Sequence, residues 1–145
     1  MNNTLDKQIN RFIVLCIEQY ASSINQWSKE TYNELEKTGI INELIEDYED
    51  MHSMSTYSIN EYISKRLCKA FSDNENKEKH LSSKTILISQ AIELIAKKYK
   101  LSIEEARDRF YKSKIIELLD DDETGLYGES ALYLLSLFDE QIKTY

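Results

Sequence analysis

The run Asp120-Asp121-Asp122-Glu123-Thr124-Gly125 gathers the side chains of this sequence best suited to chemistry. Oxygen-bearing residues at its first, third and fifth places (Asp120, Asp122 and Thr124) and glycine at its sixth match the first half of an EF-hand calcium loop. Closely spaced hard oxygen ligands suit a calcium ion, and the glycine lets the chain turn sharply round it. The second half breaks the pattern. Its twelfth place, where a bidentate carboxylate should close the cage, is Ala131; Glu129 falls two residues early, and Tyr127 fills the eighth place. The alternative is an acidic turn ending a helix, with Gly125 supplying a positive φ. The reading is therefore half a calcium loop, no metal site and no cofactor.

Other reactive residues offer less. His52 falls in a loop and His80 in a polar stretch, neither with a cysteine or second histidine at metal-ligand spacing. Cys16, among Phe12, Ile13, Ile17 and Tyr20, reads as a small buried hydrophobe, and Cys68 beside Leu67 reads the same way. Two cysteines make no disulfide framework, so a reducing cytoplasm is expected. There is no glycine-rich phosphate loop and no nucleophile elbow, and no catalytic residue is nominated. An enzyme is not expected.

Charge narrows the partners. The chain carries 18 Lys and Arg against 26 Asp and Glu, a formal charge of −8, with a pI near 4.8. Nucleic-acid and anionic-membrane binding both rest on basic residues, so neither is expected. Ten tyrosines accompany the acids. Tyr20, Tyr32, Tyr62 and Tyr99 lie on apolar stripes and read as core. Tyr48, Tyr57, Tyr111 and Tyr127 lie near helix ends, beside Asp47, Asp50, His52, Asp121 and Asp122. They read either as loop anchors or as an acidic, aromatic face for a basic protein partner.

Helices must position these groups. With no proline and three glycines, the chain reads as all-α. Leu5, Ile9, Phe12, Ile13, Cys16, Ile17 and Tyr20 make one stripe of a long helix. Ser28 reads as the cap of a short helix, with Trp27 and Tyr32 as a hydrophobic staple and Gly39 as its stop. A stretch over 41–50 and a loop over 51–57 follow. Ser58-Ile59-Asn60-Glu61 then reads as a capping box opening a helix to about Phe71, and residues 72–82 as a polar linker.

The order then recurs. A long helix over 84–99 precedes a short one capped by Ser102, an apolar stretch over 115–119, a loop over 120–128 and a last helix from Ser130. Ser28 and Ser102 are 74 apart, Ile40-Ile41 and Ile115-Ile116 are 75 apart, and Ser58 and Ser130 are 72 apart. We expect two tandem four-helix units, long–short–short–loop–long, at 1–71 and 83–145, packed into one bundle. Each half carries −4, so the acidity is no tail.

The stretch from Trp27 to Gly39, followed by Leu44-Ile45-Glu46-Asp47-Tyr48, resembles a family of small uncharacterised bacterial helical domains. The stretch around Ser102, Glu105, Phe110 and Tyr111, with Glu123 to Tyr127, resembles a related branch. Members are often encoded beside genes resembling ADP-ribosyltransferase toxins. The resemblance implies a non-enzymatic, antitoxin-like or accessory protein that binds a basic partner, and it carries over no catalytic residues. Two alternatives stay open: an acidic nucleic-acid mimic from a phage or mobile element, and a small enzyme with an unrecognised pocket.

Overall fold

A computed structural model describes residues 4–69 and 81–143. Among them are nine α-helices and no strands, an all-α bundle: α1 (Thr4–Ser23), α2 (Ser28–Lys37), α3 (Ile40–Glu46), α4 (Tyr48–Met51) and α5 (Thr56–Leu67), then α6 (Leu81–Tyr99), α7 (Ile103–Tyr111), α8 (Lys114–Asp120) and α9 (Ala131–Lys143). Two 3₁₀ turns, Asp122–Thr124 and Leu126–Gly128, fill the loop before α9. The expected linker at 72–82 lies outside the described residues up to 80, while Leu81 and Ser82 already belong to α6. Ala70 and Phe71, expected to end α5, also lie outside.

The long helices form the centre. α1 buries Phe12, Ile13, Cys16, Ile17 and Tyr20 along its stripe, and α6 buries Leu87, Ile88, Ala91, Ile92 and Ile95. These faces pack on each other, α5 closes over α1, and α9 closes over α6. Asn10 ties the seam by donating from Nδ2 to the Ser89 carbonyl at 3.3 Å. Burying one such aliphatic side chain contributes about 1.5–3 kcal/mol, and the core runs unbroken from α1 to α9.

One spacing governs both halves. Every buried apolar residue of α1–α5 has a buried residue 75 positions later, from Phe12 and Leu87 to Ile63 and Phe138. The helix ends follow. After α1, Asn25 is left-handed at φ 54° and the Gln26 amide donates to the Ala21 carbonyl; after α6, Lys100 is left-handed at φ 54° and Leu101 donates to Ala96. Both are Schellman-type stops without glycine. The turn bonds Met54 to Met51 and Glu129 to Leu126 also match at 75.

This spacing corrects two caps. Ser58 lies inside α5; the cap is Ser55, whose Oγ accepts from the Ser58 amide at 3.1 Å. Ser55 and Ser130 are 75 apart, so the caps of these two helices keep the spacing of 75 and not the 72 between Ser58 and Ser130. Ser28 lies inside α2, whose cap position is Trp27, matching Ser102 at 75. Trp27 makes no staple with Tyr32: its side chain stands in solvent while Tyr32 is buried. Ser102 and Ser130 do cap, accepting from the Glu105 and Tyr133 amides at 3.1 Å each. The stretch over 41–50 breaks at Asp47 into α3 and α4, and Met51, expected in a loop, is the buried end of α4.

Candidate functional site

A tryptophan side chain at a cap position has no oxygen to accept from the first amides of its helix, so the first turn of α2 needs an acceptor from elsewhere. The last residue of α8 supplies it. Asp120 Oδ2 accepts the Ser28 amide at 2.9 Å, placing a carboxylate at the positive end of α2. Ser28 turns its own hydroxyl inward and donates to Glu18 Oε1 at 2.7 Å. Freed from capping and stapling, Trp27 stands 62% exposed.

Between the start of α2 and the end of α8 lies an open groove of about 580 Å³. Trp27, Lys29, Glu30 and Asn33 line it from α2, and Glu117, Asp120 and Asp121 from the α8 side. Lys29 is drawn to Glu117 at 3.2 Å, leaving the rim with an excess of negative charge. This arrangement offers a flat aromatic face inside a negative field, an environment that attracts a cationic group.

Buried polar residues fix the floor. Glu18, 3% exposed, accepts from Ser28 on one oxygen and from the Tyr111 hydroxyl at 2.9 Å on the other. Tyr111 stacks on Tyr32 with ring centroids 4.7 Å apart, and Tyr32 donates to Asp108 Oδ1 at 2.8 Å. Burial, with Glu18 beside it, pushes the Tyr111 phenol well above its ordinary range. Burial first and Asp108 second do the same to Tyr32. Both therefore remain neutral donors across the usable pH range. The network locks α1, α2 and α7 together and holds the groove in shape.

The residues expected to meet a partner are placed unevenly. Asp47, Asp50, His52 and Tyr57 are exposed. Tyr48 is half-buried, packed edge-on against Phe12 and stacked on His52, whose Nδ1 lies 2.7 Å from the Tyr48 carbonyl. Tyr127 is half-buried, and Asp121 is exposed on the groove rim. Tyr111 is a correction: it is wholly buried, because it continues the inward face of α7 one residue after Phe110. Cys68 is another, exposed in a left-handed conformation after α5, while Cys16 is buried as expected.

The half calcium loop has its oxygens engaged inside the fold. Asp120 caps α2, Asp121 Oδ1 accepts the Glu123 amide at 3.0 Å, and Thr124 donates to the Leu118 and Asp121 carbonyls. The Asp122 side chain lies outside the described residues. Gly125 does take the left-handed conformation, φ 67°, between the two 3₁₀ turns. Among the described residues, no three His, Cys, Asp or Glu side chains are grouped to hold a metal ion. No described helix is long and apolar enough to cross a membrane.

Residues 11–69 match the family model "Protein of unknown function (DUF3791)". The match runs from within α1 through α5, so the first half carries the likeness to an uncharacterised domain family. It covers Trp27, Lys29, Glu30 and Asn33 on the α2 wall of the groove, but not Asp120 opposite. Comparison with curated proteins and with solved structures finds no match to the chain. Neither Trp27 as a surface residue nor Asp120 as a cap is legible in sequence, since Asp120 meets the Ser28 amide across 92 positions.

Proposed function

We propose that this chain is a non-enzymatic protein-binding module whose groove at Trp27 takes a basic segment of a partner protein. One observation carries the reading: the only tryptophan of the chain is 62% exposed in a groove walled by Glu30, Glu117, Asp120 and Asp121. Exposed tryptophan is expensive to leave in water and is the residue type most enriched at binding hot spots. Its ring face attracts Lys and Arg, and the carboxylates around it add to that attraction. The resemblance read from the sequence supplies the setting: a bacterial, cytoplasmic, antitoxin-like or accessory protein, acting on a basic partner encoded nearby. A nucleic-acid mimic would need rows of unpaired carboxylates. Glu34, Glu36, Glu43 and Asp139 are instead matched with Lys69, Lys112, Arg66 and Lys98, which favours a protein partner.

The two halves are, on this reading, two copies of one DUF3791-like unit. The constant spacing of 75 in buried positions, caps and left-handed stops supports it. A unit of this size alone is marginal, and pairing two across α1 and α6 gives the shared core each lacks.

Capture from the native host tests the function. Wild-type chain and a Trp27→Ala/Asp121→Lys variant serve as paired baits. The expected result is a defined basic protein held by the wild type and reduced at least about tenfold with the variant, the loss of a hot spot of about 1.4 kcal/mol or more. Adding that protein, purified, should shift the Trp27 emission, with the effect weakening as salt rises. Identical captured sets from both baits would sink the proposal.

A further inference from the structure

The place in the second half that corresponds to the Trp27 groove holds a different pocket. It lies where the start of α7 meets the end of α3 and the first turns of α1, and encloses about 310 Å³. Ile9, Ile45 and Ile103 form apolar walls, Asp6 and Glu104 bring carboxylates, and Arg107 forms the floor. Arg107 is 3% exposed, and its burial lowers its proton affinity. Its single hydrogen bond runs from Nε to Asn10 Oδ1 at 3.2 Å, and it makes no ion pair among the described residues. Among the described residues no acceptor meets the two terminal nitrogens of the guanidinium, which carry four N–H donors and are not sealed from solvent. Glu104 supports the charge from nearby, but no carboxylate among the described residues is hydrogen-bonded to the guanidinium.

We propose that this pocket binds a free α-amino acid with an apolar side chain. A planar carboxylate fits the two free nitrogens of Arg107 as a bidentate pair. The first-turn amides of Ile103 and Glu104, which have no acceptor within α7, face the same negative group. Ser102 already satisfies the Glu105 amide and does not compete. Glu104, exposed at the rim, meets the ammonium. Ile9, Ile45 and Ile103 receive the side chain. Asp6 and Glu104 oppose a phosphate dianion, which would bring two charges and no compensating cation. The volume is at the lower end of the range for small-ligand sites, the right scale for an amino acid. The pocket is separate from the Trp27 groove, and its occupancy stands or falls independently of the partner protein.

Thermal shift of the full chain against the twenty amino acids, each at about 10 mM, is the first measurement, since a ligand bound only by the folded state raises Tm. Titration calorimetry then compares the best responder with its amide, with its decarboxylated amine and with inorganic phosphate. The expected result is saturable binding of an apolar amino acid at about 1 mM or tighter, at least about tenfold weaker for amide and amine, and none for phosphate. Arg107→Met should abolish it while raising the Tm of the free protein, so that loss of binding is not loss of fold. Glu104→Gln, at an exposed position, should weaken binding without changing Tm. The proposal is overturned if no amino acid gives a saturable response, if the amide binds as well as the acid, or if Arg107→Met binds unchanged.

Discussion

The first turns of α2 and α7 occupy matching places in the two halves, and they are completed in opposite ways. At α7, Ser102 caps its own helix, Ile45 stands across the gap, and the fourth helical position beyond the first is a buried Arg107. At α2 the cap position is Trp27, the residue across the gap is Asp120, and the counterpart of Arg107 is Tyr32. One end is satisfied locally and keeps a cation underneath. The other borrows a carboxylate from the opposite half and projects an aromatic ring. One helix start thus keeps a buried cation, and the other borders a groove rich in carboxylates. What differs here is a handful of side chains at the helix starts, while the core positions keep their burial.

If the halves share one core, equivalent truncations on α1 and α6 should hurt alike. Ile17 and Ile92 are both fully buried and 75 apart. Ile17→Ala and Ile92→Ala are each expected to destabilise by about 2–5 kcal/mol, within about 1 kcal/mol of each other, in one cooperative urea transition. Two separate transitions, or a large effect from only one variant, would mean that the halves fold as independent bodies.

The next effect in size has the opposite sign. Replacing a buried charge that has no ion-pair partner by an apolar chain of similar volume removes a desolvation cost that outweighs the lost bond to Asn10, so Arg107→Met should stabilise by about 1–4 kcal/mol. Tyr32→Phe, at the matching place, loses only the hydroxyl bonded to Asp108 and should destabilise by about 1 kcal/mol. Urea midpoints of the two variants separate the cases. Destabilisation by Arg107→Met would show that the guanidinium anchors the α1–α7 contact through Asn10 more than it strains it.

The cap contrast can be tested as a cycle. Asp120→Ala removes the acceptor of the Ser28 amide and should cost about 0.5–2 kcal/mol, as should Ser102→Ala in the other half. Trp27→Ser gives α2 the local cap that α7 already has. In that background Asp120→Ala should cost much less, a coupling that a double-mutant cycle on chemical denaturation reads directly. Full additivity would mean that Asp120 acts through the groove wall and not through the cap.

These positions also explain how far the sequence could be read. The all-α class, the long helices and the caps Ser102 and Ser130 follow from local patterns, since the stripe and the capping oxygen sit within a few residues of each other. Ser28 and Ser58 mislead for a local reason: serine is equally at home in a helix's first turn, and only the tertiary acceptor or a nearer serine decides. Asp120 resembles a calcium ligand because its partner amide is 92 residues away. Tyr111 looks like an exposed helix-end residue, but α7 packs against α1, α2 and α6, and its buried face is broad enough to take in Arg107 and Tyr111 while Glu104, Glu105 and Arg109 stay exposed. One signal was available. Holding the spacing at 75 throughout, instead of allowing 74 and 72, selects Ser55 and Trp27 as the counterparts of Ser130 and Ser102.

The smallest expected effect concerns the clamps that close each half. Glu43 on α3 accepts from Tyr62 and Arg66 of α5, and Asp139 on α9 accepts from Lys98 and Tyr99 of α6. The Arg66 hydrogen bond lowers the Glu43 carboxyl below its ordinary value, and Lys98, then Tyr99, lower Asp139; in return Tyr99 is pushed up to about 12. A carboxylate whose folded value is depressed contributes stability above its unfolded value, about 4, and loses it as pH falls through the folded value. Glu43→Gln and Asp139→Asn should each lower Tm slightly at pH 7, by amounts that shrink at high salt because both pairs are part-exposed. Below those folded values, where wild-type carboxyls are protonated as well, the differences should vanish. A Tm loss that persists there would assign the clamps to hydrogen-bond shape and not to charge. That outcome in one half alone would mark the clamps, like the helix starts, as a place where the two halves have parted.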